Sequence, residues 1–124
     1  MDRTSADIDE LQASLLRSLA SKNRLRILHL LAEQPREVNE LALDLGLSQS
    51  ATSQHLGAMR RAGLVDSLPD GRAHRYAVAD PQILAACGLM RSVLVRRLAH
   101  LGELAAAAAD SDPVPVTTSK RGKS

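Results

Sequence analysis

Of the uncharged hydrogen-bonding side chains between positions 49 and 54, four belong together: Gln49, Ser50, Ser53 and Gln54. They fall on one side of a helix whose other side is Thr52, Leu56 and Met59. A solvated helix face is more commonly Lys and Glu. A glutamine amide pairs twice with the edge of an adenine, and serine bonds to several base edges, so this face suits the major groove of a duplex. His55, in the same stretch, either packs, touches a phosphate or contacts a base. Arg60 and Arg61 at the far end, with Arg72 and Arg75 further on, are cations suited to phosphates. Such contacts fix position and carry little sequence information.

Other reactive groups are sparse. The one cysteine, Cys87, cannot form an intrachain disulfide and gives no sign of a secreted disulfide scaffold. It sits on an apolar stripe, as a small hydrophobe at a dimer seam or as a redox group across that seam. His100 and Glu103 share a helix face at i and i+3, either as a surface pair or as half of a metal site. Two ligands per chain are too few for a closed tetrahedral site unless a dimer supplies the rest. His29, beside Arg26 and Glu33, reads as solvated, and His74 as a filler in a hairpin. The chain has no Gly-rich phosphate loop, no Cys/His pair at useful spacing and no nucleophile elbow. It is expected not to be an enzyme and to need no cofactor.

The elements that position these groups follow from periodicity and caps. Ile8, Leu11, Leu15 and Leu19 make a helical stripe over residues 7–20. A second helix starts at Ser21, carries Leu25, Leu28 and Leu31, and is ended by Pro35. A third runs over residues 37–45 with Asn39 as its N-cap, and Gly46 is its stop. Ser48 caps a fourth helix, from Gln49 to about Ala62, stopped by Gly63. Two strands follow, residues 64–68 and 73–78, around the turn Pro69-Asp70-Gly71-Arg72. Asp80 and Pro81 open a last helix that runs to about Ala109. On it Ile83, Cys87, Met90, Leu94, Leu98, Leu101 and Ala105 recur at spacings of three and four. That stripe exceeds what one small domain covers, so a partner helix is the expected cover.

The chain has 124 residues, 44% hydrophobic and 24% charged, which fits one domain with a modest core. Residues 1–109 are expected to form it, with residues 110–124 a disordered tail. Tyr76 is the single aromatic residue, which argues against single-strand platforms built on stacked bases. Net charge is −2 over residues 1–44, +3 over 45–109 and +1 beyond, so the middle of the chain is where an anionic partner fits. No run is long enough for a membrane span, and the N-terminus lacks the basic start and apolar stretch of a signal peptide. A cytoplasmic protein is expected.

Helices three and four flank Gly46-Leu47-Ser48, the arrangement of a helix-turn-helix. Residues Leu19-Ala20-Ser21-Lys22-Asn23-Arg24-Leu25-Arg26-Ile27-Leu28 resemble the leucine-alanine-x-x-x-arginine-leucine-x-isoleucine-leucine run of the ArsR-type winged-helix repressors. Residues Leu47 to Leu56 are similar to the recognition helix of that family. Ala62-Gly63-Leu64-Val65 and the hairpin from Asp70 to Tyr76 complete the likeness, which covers about residues 10–80. It implies a mainly α winged helix-turn-helix with a small β-hairpin, in the order α-α-α-α-β-β-α. It also implies a homodimer closed through the first and last helices, here Leu11, Leu15, Cys87, Met90, Leu94, Leu98 and Leu101. The implied function is a transcriptional repressor that binds an inverted repeat of double-stranded DNA and is released by a metal, a redox signal or a small molecule. The cysteines that many members carry on the third helix are absent from Val38-Asn39-Glu40-Leu41-Ala42. A rival is a dimeric protein–protein module that kept the fold and lost DNA binding. The uncharged face at 49, 50, 53 and 54 argues against it.

Overall fold

The computed structural model describes residues 3–71 and 73–111. The elements are α1 (Arg3–Leu19), α2 (Lys22–Glu33), β1 (Arg36–Glu37), α3 (Val38–Leu45), α4 (Gln49–Arg61), β2 (Val65–Asp70), β3 (Ala73–Val78) and α5 (Pro81–Ser111). The described residues fall into two units divided between Ala86 and Cys87, inside the continuous helix α5.

In the first unit the core is small and aliphatic. Ile27, Leu28 and Leu31 of α2 are buried, as are Leu41, Ala42 and Leu45 of α3 and Leu56 and Met59 of α4, with Leu64 and Val65 where the chain enters the sheet. These are the apolar stripes of three short helices, which pack on one another and on the sheet. Thr52 is the one buried polar side chain among the described residues, and its hydroxyl donates to the Ser48 carbonyl at 2.8 Å. That bond removes the cost of an unpaired hydroxyl in the core.

The expected starts of the second and last helices are both capped. Ser21 Oγ accepts from the Arg24 amide, and Asp80 Oδ1 accepts from the Gln82 amide just after Pro81. The third helix is capped differently from expectation. It begins at Val38, with Glu37 at the N-cap position, and the Glu40 carboxylate accepts from the Glu37 amide at 2.9 Å. Asn39 lies inside the first turn. A carboxylate three residues into the helix, reaching back to an orphan amide, outcompetes the short amide of Asn39.

The sheet has three strands rather than two, in the order β1-β3-β2 and antiparallel throughout. β1 adds Arg36 opposite Tyr76 and Glu37 opposite Arg75. The wing is longer than expected. β2 runs through Pro69 to Asp70, which pairs with Ala73, so the turn begins only at Gly71. Gly71 supplies its positive φ of 63°. Pro69 is tolerated because β2 is an edge strand.

α1 begins at Arg3, earlier than position 7, and α5 continues to Ser111, two residues past Ala109. Residues 112–124, the bulk of the expected tail, lie outside the described residues. In the second unit Leu89, Met90, Val93, Leu94, Val95, Leu98, Leu101 and Leu104 are all half exposed or more. No helix among the described residues is long and apolar enough to cross a membrane.

Candidate nucleic-acid interface

The junction between α3 and α4 is fixed by backbone geometry. Gly46 has φ 71°, its amide donates to the Leu43 carbonyl, and the Leu47 amide donates to the Ala42 carbonyl at 3.0 Å. The pair of bonds makes a Schellman stop, which satisfies carbonyls that α3 would leave open. Two residues later Ser48 Oγ accepts from the Ala51 amide at 3.0 Å and starts α4. The same device ends α4. Gly63 has φ 81°, its amide donates to the Arg60 carbonyl, and the Leu64 amide donates to the Met59 carbonyl at 2.8 Å. α4 is therefore held at both ends, and Thr52, Leu56 and Met59 bury its inner side.

With that side inward, Gln49, Ser50, Ser53 and Gln54 are all exposed. Their amides and hydroxyls form an uncharged row that can donate to and accept from base edges. Arg60 and Arg61 are exposed at the C-terminal end of the same helix. Arg61 folds back over Gly57: a Cβ on Gly57 would lie 3.4 Å from Arg61 Nη1.

His55 stands apart from this row. It is half-buried, and its Nδ1 accepts from Arg24 Nε at 3.0 Å. Arg24 also donates through Nη1 to the Ser18 carbonyl at 3.1 Å, so one guanidinium ties α1, α2 and α4 together. Burial, and then the charge of Arg24, lower the His55 pKa below its ordinary value. With Nδ1 as acceptor, the proton of the neutral ring sits on Nε2. The geometry makes His55 a joint between helices rather than a member of the exposed row. Its partner is 31 residues away in sequence, which no local pattern could reveal.

The wing cations differ in their fates. Arg75 is half-buried and donates to the Pro35 carbonyl at 3.4 Å, opposite Glu37 of β1. That binds it to the third strand, which has no local sequence signal. Arg72 lies outside the described residues. Ser67 Oγ and His74 Nδ1 are 3.0 Å apart on β2 and β3, so His74 is part of the wing surface.

Another arginine, absent from the expected site, holds the base of the helix-turn-helix. Arg36 donates to the Leu30 carbonyl, to Asp44 Oδ2 at 3.1 Å and to Glu33 Oε1 at 2.5 Å. It clamps α2 to α3 from β1.

Leu11 is 69% exposed, and Met90, Leu94, Leu98 and Leu101 lie between 50% and 59%, while Leu15 and Cys87 are half-buried. His100 Nδ1 and Glu103 Oε1 are 4.0 Å apart and open to solvent. Among the described residues no three His, Cys, Asp or Glu side chains come together as a metal-ligand group.

Residues 21–67 match the model of the bacterial regulatory protein, arsR family. The chain is 43% identical over 95 residues to the uncharacterized HTH-type transcriptional regulator Rv0081 of Mycobacterium tuberculosis, covering 76% of this chain and 83% of that one. The crystal structure of Rv0081 superposes with a TM-score of 0.70 at 42% identity, covering 75% of this chain and 94% of that one. The solution structure of the homodimeric winged helix-turn-helix DNA-binding domain Mb0332 from Mycobacterium bovis gives a TM-score of 0.76 at 28% identity, covering 81% and 93%. The transcriptional activator HlyU of Vibrio cholerae is 38% identical over 76 residues, covering 61% of this chain and 70% of that one.

Proposed function

This chain belongs to the arsR family of bacterial regulatory proteins and is a DNA-binding transcriptional regulator, and from that premise we propose that it works as a homodimeric repressor on an inverted repeat, released by an inducer. The uncharged row of Gln49, Ser50, Ser53 and Gln54, displayed on a helix fixed at both ends, carries the proposal. A two-fold dimer presents two such helices about one helical turn apart, which matches successive major grooves on one side of a duplex. The exposed leucines of α1 and α5 support closure of that dimer by Leu11, Leu15, Cys87, Met90, Leu94, Leu98 and Leu101, and the homodimeric state of Mb0332 supports it as well.

The inducer acts on α5. α3 carries no thiol, whereas Cys87, His100 and Glu103 all belong to α5. A ligand shifts operator binding only through unequal affinity for two dimer arrangements, and a seam that sets the spacing of two recognition helices is placed for that. A tenfold loss of affinity needs about 1.4 kcal/mol of such coupling.

The test is a gel shift on the promoter of the protein's own gene. Wild type is expected to bind one inverted repeat. Gln49→Ala and Ser53→Ala are expected to relax base preference by about 1–3 kcal/mol for each base edge no longer bonded. Cys87→Ser and His100→Ala, assayed with and without peroxide or zinc, locate the inducer. A response unchanged in both variants removes those two side chains from sensing. Activation in place of repression is a second reading, favoured by the name of the relative HlyU. A reporter fused to the bound promoter separates the two by the sign of its change when the protein is deleted.

A further inference from the structure

Ser50, Gln54, Gly57 and Arg61 follow one another at spacings of four, three and four, and so form a single row along α4. That row lies opposite the buried Thr52, Leu56 and Met59, which makes it the most outward line of the helix. Arg60 instead follows Gln49 and Ser53, on the flank of the same face. Glycine is a poor helix former, so its place in the middle of a 13-residue helix needs a reason. A Cβ there would make only ordinary contact with the Arg61 guanidinium, at 3.4 Å from Nη1, but a side chain longer than alanine would compete for the space the guanidinium occupies. Helical side chains lean toward the N-terminus, and the gap at Gly57 lets Arg61 lie along the row toward Gln54. Neither a carboxylate nor a carbonyl holds that guanidinium among the described residues, and it is exposed.

We propose that Arg61 contacts a guanine in each operator half-site, beside the base pair faced by Gln54, and that Gly57 is the gap that admits its guanidinium to the groove. The proposal rests on α4 being the helix that enters the major groove. The planar fork of arginine matches guanine O6 and N7 with two parallel bonds, which a lysine ammonium cannot reproduce. Arg61 then sets specificity, whereas Arg60 on the flank is placed for a phosphate.

The experiment selects binding sites from a random duplex library with the full chain and compares wild type, Arg61→Ala, Arg61→Lys, Gly57→Gln and Gln54→Ala. Salt dependence of affinity is measured for each. Wild type is expected to enrich a guanine at one fixed position per half-site, favoured about 10-fold to 100-fold over other bases. Arg61→Ala and Gly57→Gln are expected to lose that preference and keep the rest of the site. Arg61→Lys is expected to keep the salt slope and lose the preference. A uniform loss over all sequences in Arg61→Ala, with a salt slope reduced by about one phosphate per protomer, makes Arg61 a backbone contact and overturns the proposal. No change in Arg61→Ala also overturns it. If Gln54→Ala alters selection while Arg61→Ala does not, only the role of Arg61 falls. If neither does, the placing of α4 in the groove falls with it.

Discussion

Arg24 of α2 donates through Nε to Nδ1 of His55, which lies 3.0 Å away on the helix that carries the uncharged row. The bond requires a neutral imidazole, because a proton on Nδ1 would face a guanidinium. Burial first, and the Arg24 charge second, lower the pKa of His55 below 6.5 in the folded chain. Well above pH 6.5 folded and unfolded chains both hold this imidazole neutral, and its contribution to stability is complete. As pH falls below that value the unfolded chain takes up the proton first, so stability declines until the lowered folded pKa is passed. Urea unfolding at a series of pH values between 8 and about 5 is expected to show a decline in wild type that is smaller in His55→Gln. Equal slopes in the two proteins would remove His55 from the pH response.

Arg36 is a different kind of joint. Its side chain is 17% exposed, while its partners Glu33 and Asp44 are 67% and 43% exposed. Exposed ion pairs contribute little, about 0–1 kcal/mol each. The bond to the Leu30 carbonyl adds about 1 kcal/mol. Arg36→Ala is therefore expected to cost about 1–2 kcal/mol in chemical denaturation, with part of that cost persisting in high salt. A loss that vanishes entirely in salt would assign the whole effect to the ion pairs.

Gly46 tests the turn itself. A Cβ there would meet nothing within 4 Å, yet φ is 71°. Gly46→Ala therefore costs only the left-handed conformation, about 1–2 kcal/mol. Unfolding free energies should show that loss while circular dichroism of the folded protein stays the same. A cost well above this range would mean that the α3–α4 turn rearranges.

Leu94 tests the proposed dimer. Wild type is expected to sediment as a dimer at micromolar concentration, and Leu94→Glu as a monomer, because the seam would bury an unpaired carboxylate. Leu94 is 55% exposed, so its replacement costs little in an isolated chain. A wild-type monomer at that concentration ends the proposal.

What could be read without coordinates was local. Gly46, Ser48 and Gly63 announce their roles through residue type and through the stripe beside them, and the structure places caps at all three. Asn39 shows the limit of such reading, since the favoured cap type lost to a carboxylate one residue further along. β1 left no signal at all. Two residues cannot display alternation, and its pairing with Tyr76 and Arg75 is decided some forty positions away. Arg75 resembled a free cation for the same reason, because its acceptor at Pro35 is 40 residues distant. Arg24 stood in the run that carried the family resemblance, but its bond to His55 belongs to tertiary structure. Arg61 is visible in the sequence as charge, whereas its lie over Gly57 is a matter of side-chain direction that charge does not reveal.

The two rims of the small sheet have a consequence for self-association. One rim is β1, only two residues long. The other is β2, where Pro69 removes an amide from the row of donors. An incoming strand needs a continuous ladder of open donors and acceptors, and neither rim supplies one. The sheet is thus protected against strand-by-strand growth into fibrils, even though the last helix exposes a long run of leucine and valine. A partner helix can therefore cover that apolar face without opening a route for strand addition.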